Sequence, residues 1–393
     1  MSEYLIELSH QKICRHARNC SGCFYFQDTM IESLQKQKQG KRDFFLAEMN
    51  KQGFSVAKTT LEYQNPSPLF YRHHLDFVLD HGKMGLYHHE SNAISDLSEC
   101  LVLHPKLQDF FQRFRELAPR DIKGSFRLRF DGQNRFGVWL DFANLDIKKL
   151  FDEKTFLNSL QEIAFVEIGQ RGKSLAQQDG RFKLVDPIYR HWFATKIKDQ
   201  QIPLNSLVRS FTQSGLQNNF EMISQIQEYY RNQNFSNSGK ALEMGAGIGN
   251  LTFPFLEFFS SIRCVEFDEL SLNGLKLTLN EQKNLSAQVD LTLADFHREQ
   301  KVQDLDLNDY SGLILNPARS GVGEFLKKLT LNHSIQTVFL MSCYTESFAN
   351  DAVLIEQAGF RCDKLILFDQ FSMSKHFEIL SFWSREPKAI VSP

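Results

Sequence analysis

From about residue 206 to residue 393, short apolar runs typical of buried strands alternate with longer stretches that have helical spacing. The strand-like runs lie at 240–244, 262–266, 290–293, 312–315, 337–341, 364–368 and 377–383. Helical patterns lie at 218–232, from about 250, at 271–284 and at 345–358. Strands that alternate with helices form a parallel sheet with helices on both faces, and ligands bind at the carboxyl ends of the strands. The sequence therefore predicts an α/β domain over residues 206–393.

Residues 1–205 have a different texture, in which strand-like runs are joined by turn sequences. Strands are predicted on either side of turns at 80–83 and 131–134, and again at 165–168 and 182–185. A helix broken at Gly40 is predicted over 27–50. We therefore expect an α+β domain over residues 1–205, ahead of the α/β domain.

The length and composition limit the class of protein. A chain of 393 residues is long enough for two domains, because single cores stop growing at roughly 250–300 residues. Hydrophobic residues make up 42% and charged residues 23%, which excludes a disordered or fibrous chain. No apolar run of about 18 residues and no secretory signal is present, so we expect a cytoplasmic protein without a membrane span. A net charge of −2 excludes a uniformly basic nucleic-acid-binding protein but leaves room for basic patches.

The first strand of the α/β domain ends in a glycine-rich turn, Gly245-Ala246-Gly247-Ile248-Gly249-Asn250. Glycines let a backbone approach a ligand closely, but the dinucleotide fingerprint requires glycine where Asn250 stands. Glu266 ends the second strand, where an acid can bind two ribose hydroxyls, and Asp295 follows the third strand. The glycine turn alone is equally consistent with a plain βα turn. With the two acids, the pattern favours an adenosine ligand without a pyrophosphate, which is S-adenosylmethionine rather than NAD.

Two further strand ends bear residues that suggest covalent catalysis. Cys343 lies between the strand at 337–341 and a helix, and a helix N-terminus favours a thiolate. A cysteine is often only a small buried apolar residue, but at this strand end we interpret Cys343 as a nucleophile. Glu378 lies on the same strand face as His376 and is a candidate base near Cys343, although a surface position is the default for such a pair. The absence of an aromatic residue at Arg319 argues against methylation of an exocyclic amine.

The cysteines indicate a metal site in the first half. The chain has seven cysteines, an odd number, and no secretory signal, which points to a reducing compartment. Cys14, Cys20 and Cys23 lie within ten residues of one another, and Cys100 follows far downstream. Three clustered thiolates with a distant fourth suit an iron–sulfur cluster, and a zinc ion held by four thiolates is the alternative. Cys264 and Cys362 are expected to be core residues.

Two groups of basic residues are candidate contacts for RNA. The first consists of Arg15, Arg18, Lys36, Lys38, Lys41 and Arg42. The second, which has aromatic residues between its members, consists of Arg113, Arg115, Arg120, Lys123, Arg127 and Arg129. Such residues can bind phosphates while aromatic side chains stack on unpaired bases. A solvated charged face explains either group equally well when it is taken alone.

From Cys14 to about Trp383 the chain resembles the RumA/TrmA-type RNA uracil-C5 methyltransferases. The matching segments are Ser210-Phe211-Thr212-Gln213, the turn at 243–250, Asn316-Pro317-Ala318-Arg319, Ser342-Cys343 and His376-Phe377-Glu378. The resemblance implies that Cys343 is the nucleophile and Glu378 the base. It also implies that the cofactor and base site is lined by Gln213, Gly245, Asn250, Glu266, Asp295 and Asn316.

The resemblance also implies a fold and a substrate. The fold is a Rossmann-like class I methyltransferase domain, preceded by an α+β domain that binds RNA and an iron–sulfur cluster. The rRNA-directed branch of the family has a four-iron four-sulfur cluster in this cysteine arrangement, which the tRNA-directed branch generally lacks. The implied partner is therefore 23S rRNA, with a target uridine in a single strand or a loop. No protein partner is implied, and the N-terminal TRAM domain of some relatives is not expected.

Three positions depart from the family's pattern. Asn316 stands where many members have Asp, Tyr344-Thr345 follows Cys343 in place of Asn-Pro, and Ser372 replaces the usual proline before the His-x-Glu segment. These departures concern the identity of the substrate more than the type of reaction. Two alternatives stay open, namely a tRNA uracil-C5 methyltransferase and a non-catalytic iron–sulfur RNA-binding protein with a decayed methyltransferase fold.

Overall fold

The computed structural model describes residues 14–26, 29–141, 147–169, 173–233, 235, 239–299, 302, 304–329 and 334–385. Its strands are β1 Thr60–Gln64, β2 His74–Asp80, β3 Lys83–Tyr87, β4 Ile94–Asp96, β5 Lys123–Phe130, β6 Phe136–Asp141, β7 Phe165–Ile168, β8 Lys173–Gln178, β9 Arg181–Val185, β10 Arg190–Ile197, β11 Gln200–Ser206, β12 Lys240–Met244, β13 Ser261–Glu266, β14 Val289–Leu293, β15 Gly312–Leu315, β16 Thr337–Ser342, β17 Phe360–Phe368 and β18 Glu378–Arg385. Its α-helices are α1 Met30–Gln52, α2 Pro105–Leu117, α3 Ile147–Asp152, α4 Lys154–Ile163, α5 Leu216–Asn232, α6 Thr252–Phe255, α7 Glu269–Glu281, α8 Lys283–Ser286 and α9 Thr345–Gln357. Within the described ranges, no helix combines the length and apolarity that a membrane crossing requires.

One sheet lies at the centre of the second half, with the strand order β1-β17-β18-β16-β15-β12-β13-β14. The predicted alternation of strands and helices is confirmed, although the helix predicted from about residue 250 is the single turn Thr252–Phe255. Strand β18 differs from the predicted parallel arrangement, because it runs antiparallel between β16 and β17. Glu378, its first residue, is therefore opposite Phe368, the last residue of β17, at the edge where the parallel strands end.

A second mixed sheet forms most of the first half, in the order β4-β3-β2-β5-β6-β7-β8-β9. Both predicted hairpins are confirmed, since β2 pairs with β3 and β5 pairs with β6, each in antiparallel fashion. Helices α2 and α4 pack against this sheet over a core rich in phenylalanine. Phe77 stacks on both Phe111 and Phe126, with ring centroids 4.6 and 5.3 Å apart.

Helix α1 and strand β1 belong to the first half of the chain but pack against the second-half sheet. Strand β1 pairs in parallel with β17, and Phe45 and Met49 of α1 are fully buried in the core that contains Phe348. The predicted break at Gly40 is wrong, because α1 is continuous from Met30. Gly40 instead allows the ring of Tyr25 to approach, since a Cβ there would lie 2.9 Å from that ring. The predicted helix start at residue 27 lies outside the described residues, and the division after residue 205 stays a prediction.

Candidate active site

The glycine turn after β12 has a backbone that only glycine adopts without strain. Gly245 and Gly247 have φ values of 78° and 58°. A Cβ on Gly245 would lie 2.2 Å from the carbonyl oxygen of Asn316, so the turn and the end of β15 are in close contact. A Cβ on Gly247 would meet no atom within 4 Å, so the turn is open on that side. The turn thus has room for a ligand beside its backbone.

Glu266 lies directly beside this turn. One carboxylate oxygen accepts a hydrogen bond from the Gly247 amide at 2.7 Å, and the other accepts from the amides of Phe267 and Asp268. Burial raises the pKa of Glu266, and these three amides oppose the rise because they favour the charged form. The carboxylate is therefore fixed at the end of β13, next to the glycine turn.

Three other predicted cofactor residues lie around the same edge. Asn250 forms a reciprocal pair with Asn219 of α5, in which each amide nitrogen donates to the other's oxygen at 2.8 and 2.9 Å. The carboxylate of Asp295 accepts from the His297 amide at 3.0 Å. The side-chain amide of Asn316 is 3.4 Å from the Gly245 carbonyl oxygen. The roles of these three residues as cofactor ligands stay predictions. The hydrogen bonds between Asn250 and Asn219 fix the end of the glycine turn against α5.

Cys343 is a half-buried free thiol between β16 and α9. Burial raises the pKa of its thiol, nearby Glu378 raises it further, and nearby Arg319 lowers it. The lowering of the thiol pKa that we expected from a helix N-terminus is therefore outweighed by burial. The sequence could not predict this, because it does not show how deeply a residue is buried. Ser342 pairs with Ile379 in the sheet, so Cys343 and Glu378, the residues next to this pair, lie near each other at one edge of the sheet.

Glu378 is buried, contrary to the default surface position. Burial raises the pKa of its carboxyl group to about 8, and a hydrogen bond from Gln370 opposes the rise. The Gln370 amide nitrogen donates to a Glu378 carboxylate oxygen at 3.1 Å. A carboxyl group with this pKa can both accept and release a proton near neutral pH.

Gln370 connects Glu378 to Gln213, the predicted residue of the 210–213 motif. Its amide nitrogen has two protons and also donates to the Gln213 side-chain oxygen at 2.5 Å. Its own side-chain oxygen accepts from the Ser214 hydroxyl at 3.3 Å, which fixes the orientation of the amide. The sequence analysis missed Gln370, although its place directly after a predicted strand, at 364–368, is the signal that singled out the other site residues.

The sequence analysis listed Lys41 among the candidate RNA contacts, but this prediction is wrong for Lys41, because its side chain is fully buried. Its ammonium group and the Asp369 carboxylate form a fully buried ion pair at 2.6 Å. Tyr63 donates to the other Asp369 oxygen at 2.5 Å. Lys41 therefore links α1 to the residue that precedes Gln370.

Two arginines of the second basic group are also structural. Arg129 is buried and donates to the Ser210 carbonyl at 2.6 Å, and Arg127 donates to the Arg209 carbonyl at 2.7 Å while pairing with Asp76. Burial lowers the pKa of Arg129 to about 9. Both guanidinium groups donate to the backbone that leads into the 210–213 motif, and the burial of Arg129 keeps that side chain away from an RNA phosphate in this conformation.

The four predicted metal ligands, Cys14, Cys20, Cys23 and Cys100, line one cavity together with Arg72. Burial raises the pKa of all four thiols. The pKa of the Cys23 thiol is raised next most by the negative charge of a nearby Cys100 thiolate. In the part of the chain that the structure describes, no three His, Cys, Asp or Glu side chains are arranged to hold a metal ion. The cysteines are thus gathered around one space but are not set around a single point. Cys264 and Cys362 are buried in the core, as predicted.

Comparisons with known proteins agree with this architecture. The family model described as tRNA (Uracil-5-)-methyltransferase matches residues 192–386. An uncharacterized RNA methyltransferase of Bdellovibrio bacteriovorus is 35% identical over 381 residues, which cover 95% of each chain. The 23S rRNA (uracil(1939)-C(5))-methyltransferase RlmD of a Shewanella species is 25% identical over 395 residues, covering 94% of this chain and 81% of that protein.

A solved structure shares the fold. The Pyrococcus abyssi tRNA (uracil-54, C5)-methyltransferase, solved with S-adenosyl-L-homocysteine, superposes with a TM-score of 0.61. The superposition covers 89% of this chain and 83% of that one at 15% identity, so it shows the fold alone. The predicted Rossmann-like class I methyltransferase fold is thereby confirmed.

Proposed function

Because the chain belongs to the RNA uracil-C5 methyltransferase family, we propose that it methylates carbon 5 of a uridine in 23S rRNA with S-adenosylmethionine as the methyl donor. The observation that supports this most directly is the position of Cys343 near the buried Glu378, at the sheet edge that bears the glycine turn. A thiol and a carboxyl group in proximity are the two groups that this reaction needs.

The glycine turn and Glu266 fit the cofactor. Gly245 and Gly247 present backbone without side chains, and the Glu266 carboxylate beside Gly247 can accept hydrogen bonds from two ribose hydroxyls. Asn250 and Asp295 complete the proposed cofactor site. When bound there, S-adenosylmethionine supplies a methyl group that is attacked as an electrophile.

Cys343 activates the uracil ring, whose carbon 5 is a poor nucleophile. The thiolate forms a bond to carbon 6, and the electron pair of the 5,6 double bond moves to give an enolate with a nucleophilic carbon 5. Arg319 favours the thiolate, because its positive charge lowers the pKa of Cys343. Donors such as the Gln213 and Asn316 amides would stabilise the enolate oxygen.

Glu378 completes the reaction after carbon 5 has gained the methyl group. Its carboxylate accepts the proton from carbon 5, and the electron pair of that C–H bond is taken up by the ring as an enolate. The enolate restores the 5,6 double bond as the bond between carbon 6 and the Cys343 sulfur breaks, and the electron pair of that bond leaves with the sulfur, which returns the thiolate and frees the RNA. The raised pKa of Glu378 suits this step, since a buried carboxylate is a stronger base than an exposed one.

We further propose that Cys14, Cys20, Cys23 and Cys100 bind a four-iron four-sulfur cluster. Their common cavity supports this. A zinc ion requires its sulfur ligands at about 2.3 Å from one point, whereas a cluster cage spreads the thiolates over several iron atoms. The cluster is proposed on the spacing of Cys14, Cys20 and Cys23 with the distant Cys100 and on their common cavity, and zinc is the alternative.

The 23S rRNA target is supported by the RlmD relative, which matches 94% of this chain. A tRNA target is the second candidate, because the matching family model is described as a tRNA methyltransferase. The non-catalytic alternative is disfavoured because Cys343 and Glu378 are both present and lie near each other at one sheet edge.

Methyl transfer from labelled S-adenosylmethionine to unmodified 23S rRNA and to unmodified tRNA transcripts tests these assignments. We expect 5-methyluridine in the rRNA only, and loss of transfer in Cys343→Ala. Methylation of tRNA alone would overturn the target, and no transfer to either RNA would favour the non-catalytic alternative. Iron, sulfide and zinc contents of anaerobically purified protein test the cluster, and stoichiometric zinc in a colourless sample would refute it.

A further inference from the structure

The loop of residues 369–377, which we call the base loop, leads directly into Glu378 and contacts the cysteine-rich segment of residues 14–26. The backbone amides of Phe24 and Tyr25 both donate to the Met373 carbonyl, at 2.5 and 3.0 Å. Phe24 and Tyr25 follow Cys23 immediately in sequence. The segment that bears three of the four cysteines is thus hydrogen-bonded to the loop that bears the proposed base.

Met373 is the centre of this contact. Its side chain is fully buried in a small apolar cluster with Tyr25, Met30 and Leu69, and Cys23 packs against the same cluster. Its φ of 66° is in the left-handed region, which a non-glycine residue adopts only when its surroundings hold it there. The conformation of the base loop at Met373 therefore depends on the packing around Cys23.

Side chains of α1 fix the base loop from another side. The Gln37 side-chain oxygen accepts from the Met373 amide, and its nitrogen is 3.3 Å from the Ser372 hydroxyl. Lys41 donates to the His376 carbonyl at 2.8 Å in addition to its ion pair with Asp369. These contacts leave the loop with little freedom on the side of α1.

Two cationic side chains connect the base loop with the cysteine-rich segment and its cavity. The guanidinium of Arg72, which lines the cavity, is 5.6 Å from the ring centroid of Phe371. The ammonium group of Lys375 is 4.0 Å from the ring centroid of Phe24. The loop therefore contacts the cysteine-rich segment through backbone, apolar and cationic interactions.

We propose that the cysteine-rich segment positions the catalytic base, because it fixes Met373 and thereby the base loop with Gln370 and Glu378. This inference rests on the proposed function of Glu378. Cys23 packs against the apolar cluster of Met373, so a cluster held by Cys23 would strengthen this contact and reduce the opening of the base loop. Cys343 lies between β16 and α9, outside the base loop, so loosening the base loop slows removal of the carbon 5 proton more than addition of the thiolate.

Hydrogen exchange measured by mass spectrometry tests the structural part of this proposal. We expect faster exchange over 369–378 when the cluster is removed by anaerobic chelation and oxidation, and also in Met373→Ala with its cluster intact. Met222→Ala is the matched control, because Met222 is equally buried on α5 in a different core cluster. Phe24→Ala is a second variant that is expected to fold, since Phe24 is half exposed. Unchanged exchange over 369–378 in both variants and after cluster removal would overturn the proposal.

Covalent adducts between protein and RNA test the mechanistic part. In a single turnover, Met373→Ala should accumulate methylated RNA bound to Cys343 and release it about tenfold to a hundredfold more slowly than the wild type, as expected for a misplaced catalytic group. Met222→Ala should release it at the wild-type rate. Equal release rates in Met373→Ala and the wild type would contradict a positioning role. If even the wild-type protein forms neither adduct nor product, the proposed function fails instead, and the exchange data still decide whether the segment holds the loop. If the purified protein contains no cluster, the cluster assignment fails, and the two variants decide the role of the segment.

Discussion

The amide nitrogen of Gln370 donates a hydrogen bond to a carboxylate oxygen of Glu378 at 3.1 Å, inside a site where that carboxyl group is buried. The same nitrogen donates to Gln213, and Ser214 fixes the orientation of the amide. A residue with no titratable group therefore sets the environment of the proposed base and ties it to the 210–213 motif.

Gln370→Leu should move the activity to higher pH. The hydrogen bond from Gln370 favours the charged form of Glu378, so its loss raises the pKa of the base above its value of about 8 and leaves less carboxylate at neutral pH. A hydrogen bond to a charged group contributes about 1.5–3 kcal/mol, so kcat at pH 7 should fall about tenfold or more and recover partly at pH 9. The pH profile of kcat measures this.

Gln227→Leu is the matched control for that variant. Gln227 is also buried and also donates to a carboxylate, that of Glu257 at 3.2 Å, but it lies on α5. We expect its pH profile to follow the wild type. A parallel loss of activity at all pH values in Gln370→Leu would refute a role in the protonation of Glu378.

Glu378→Gln should make the protein more stable at neutral and alkaline pH. The folded-state pKa of Glu378, about 8, is above the ordinary value of about 4.3 for an unfolded chain. As the pH rises from about 4.3 to about 8, the unfolded chain ionises this group more readily than the folded protein does, so the free energy of unfolding of the wild type falls. Glutamine avoids that cost. Thermal unfolding at pH 4 and at pH 8 should show a higher midpoint for the variant at pH 8 and similar midpoints at pH 4. A variant that is less stable than the wild type at pH 8 would contradict the burial of a charged base.

Lys41→Met should destabilise the fold strongly. It leaves the Asp369 carboxylate buried without its counter-ion, which costs about 3–5 kcal/mol for a buried pair. Lys327→Met is the control, because Lys327 and Glu324 are 2.7 Å apart but largely exposed, and such pairs contribute about 0–1 kcal/mol. Urea unfolding of both variants measures the difference, and equal losses would show that the Lys41 pair is not desolvated.

The charge pattern of the sequence did not distinguish these two kinds of lysine. Lys41 lies in a basic run at 36–42, which predicts a solvated or RNA-binding face, and its partner Asp369 is 328 residues away. Gln370 and Gln213 are likewise 157 residues apart, so their contact exists only after β17 and the 210–213 motif meet in three dimensions. Burial and long-range pairing of this kind leave no local pattern.

Strand ends were predictable for a different reason. Local apolar runs define where each strand stops, and parallel pairing brings those stops to one edge, so Gly245, Glu266 and Cys343 could be assigned to a common site. Glu378 was a candidate base near Cys343, and it lies at that edge although its strand is antiparallel. The raised pKa of Cys343 was not predictable, because it follows from burial rather than from position next to a helix.

Gly245→Ala should weaken cofactor binding. The new Cβ would lie 2.2 Å from the Asn316 carbonyl oxygen, and such overpacking costs about 1–3 kcal/mol, which corresponds to about a tenfold or greater loss if expressed as affinity. Gly53→Ala is the control, because Gly53 has a nearly identical φ of 79° but open space around its Cβ position at the end of α1. Calorimetric titration with S-adenosylmethionine compares them. Equal affinities would show that the close contact between the turn and Asn316 does not shape the cofactor site.

The covalent step at Cys343 is tested most directly with an RNA that contains 5-fluorouridine at the target position. Carbon 5 then bears a fluorine in place of the proton that the base removes, and fluorine cannot leave as a cation, so the base cannot complete the reaction and the protein stays bound to carbon 6 of the methylated ring. Intact mass spectrometry of the wild-type protein, incubated with this RNA and S-adenosylmethionine, should show a covalent complex whose cross-linked peptide contains Cys343, and Cys343→Ala should show none. A wild-type protein that methylates uridine in the normal RNA yet forms no complex with the fluorinated RNA, or a Cys343→Ala variant that still turns over, would contradict the account.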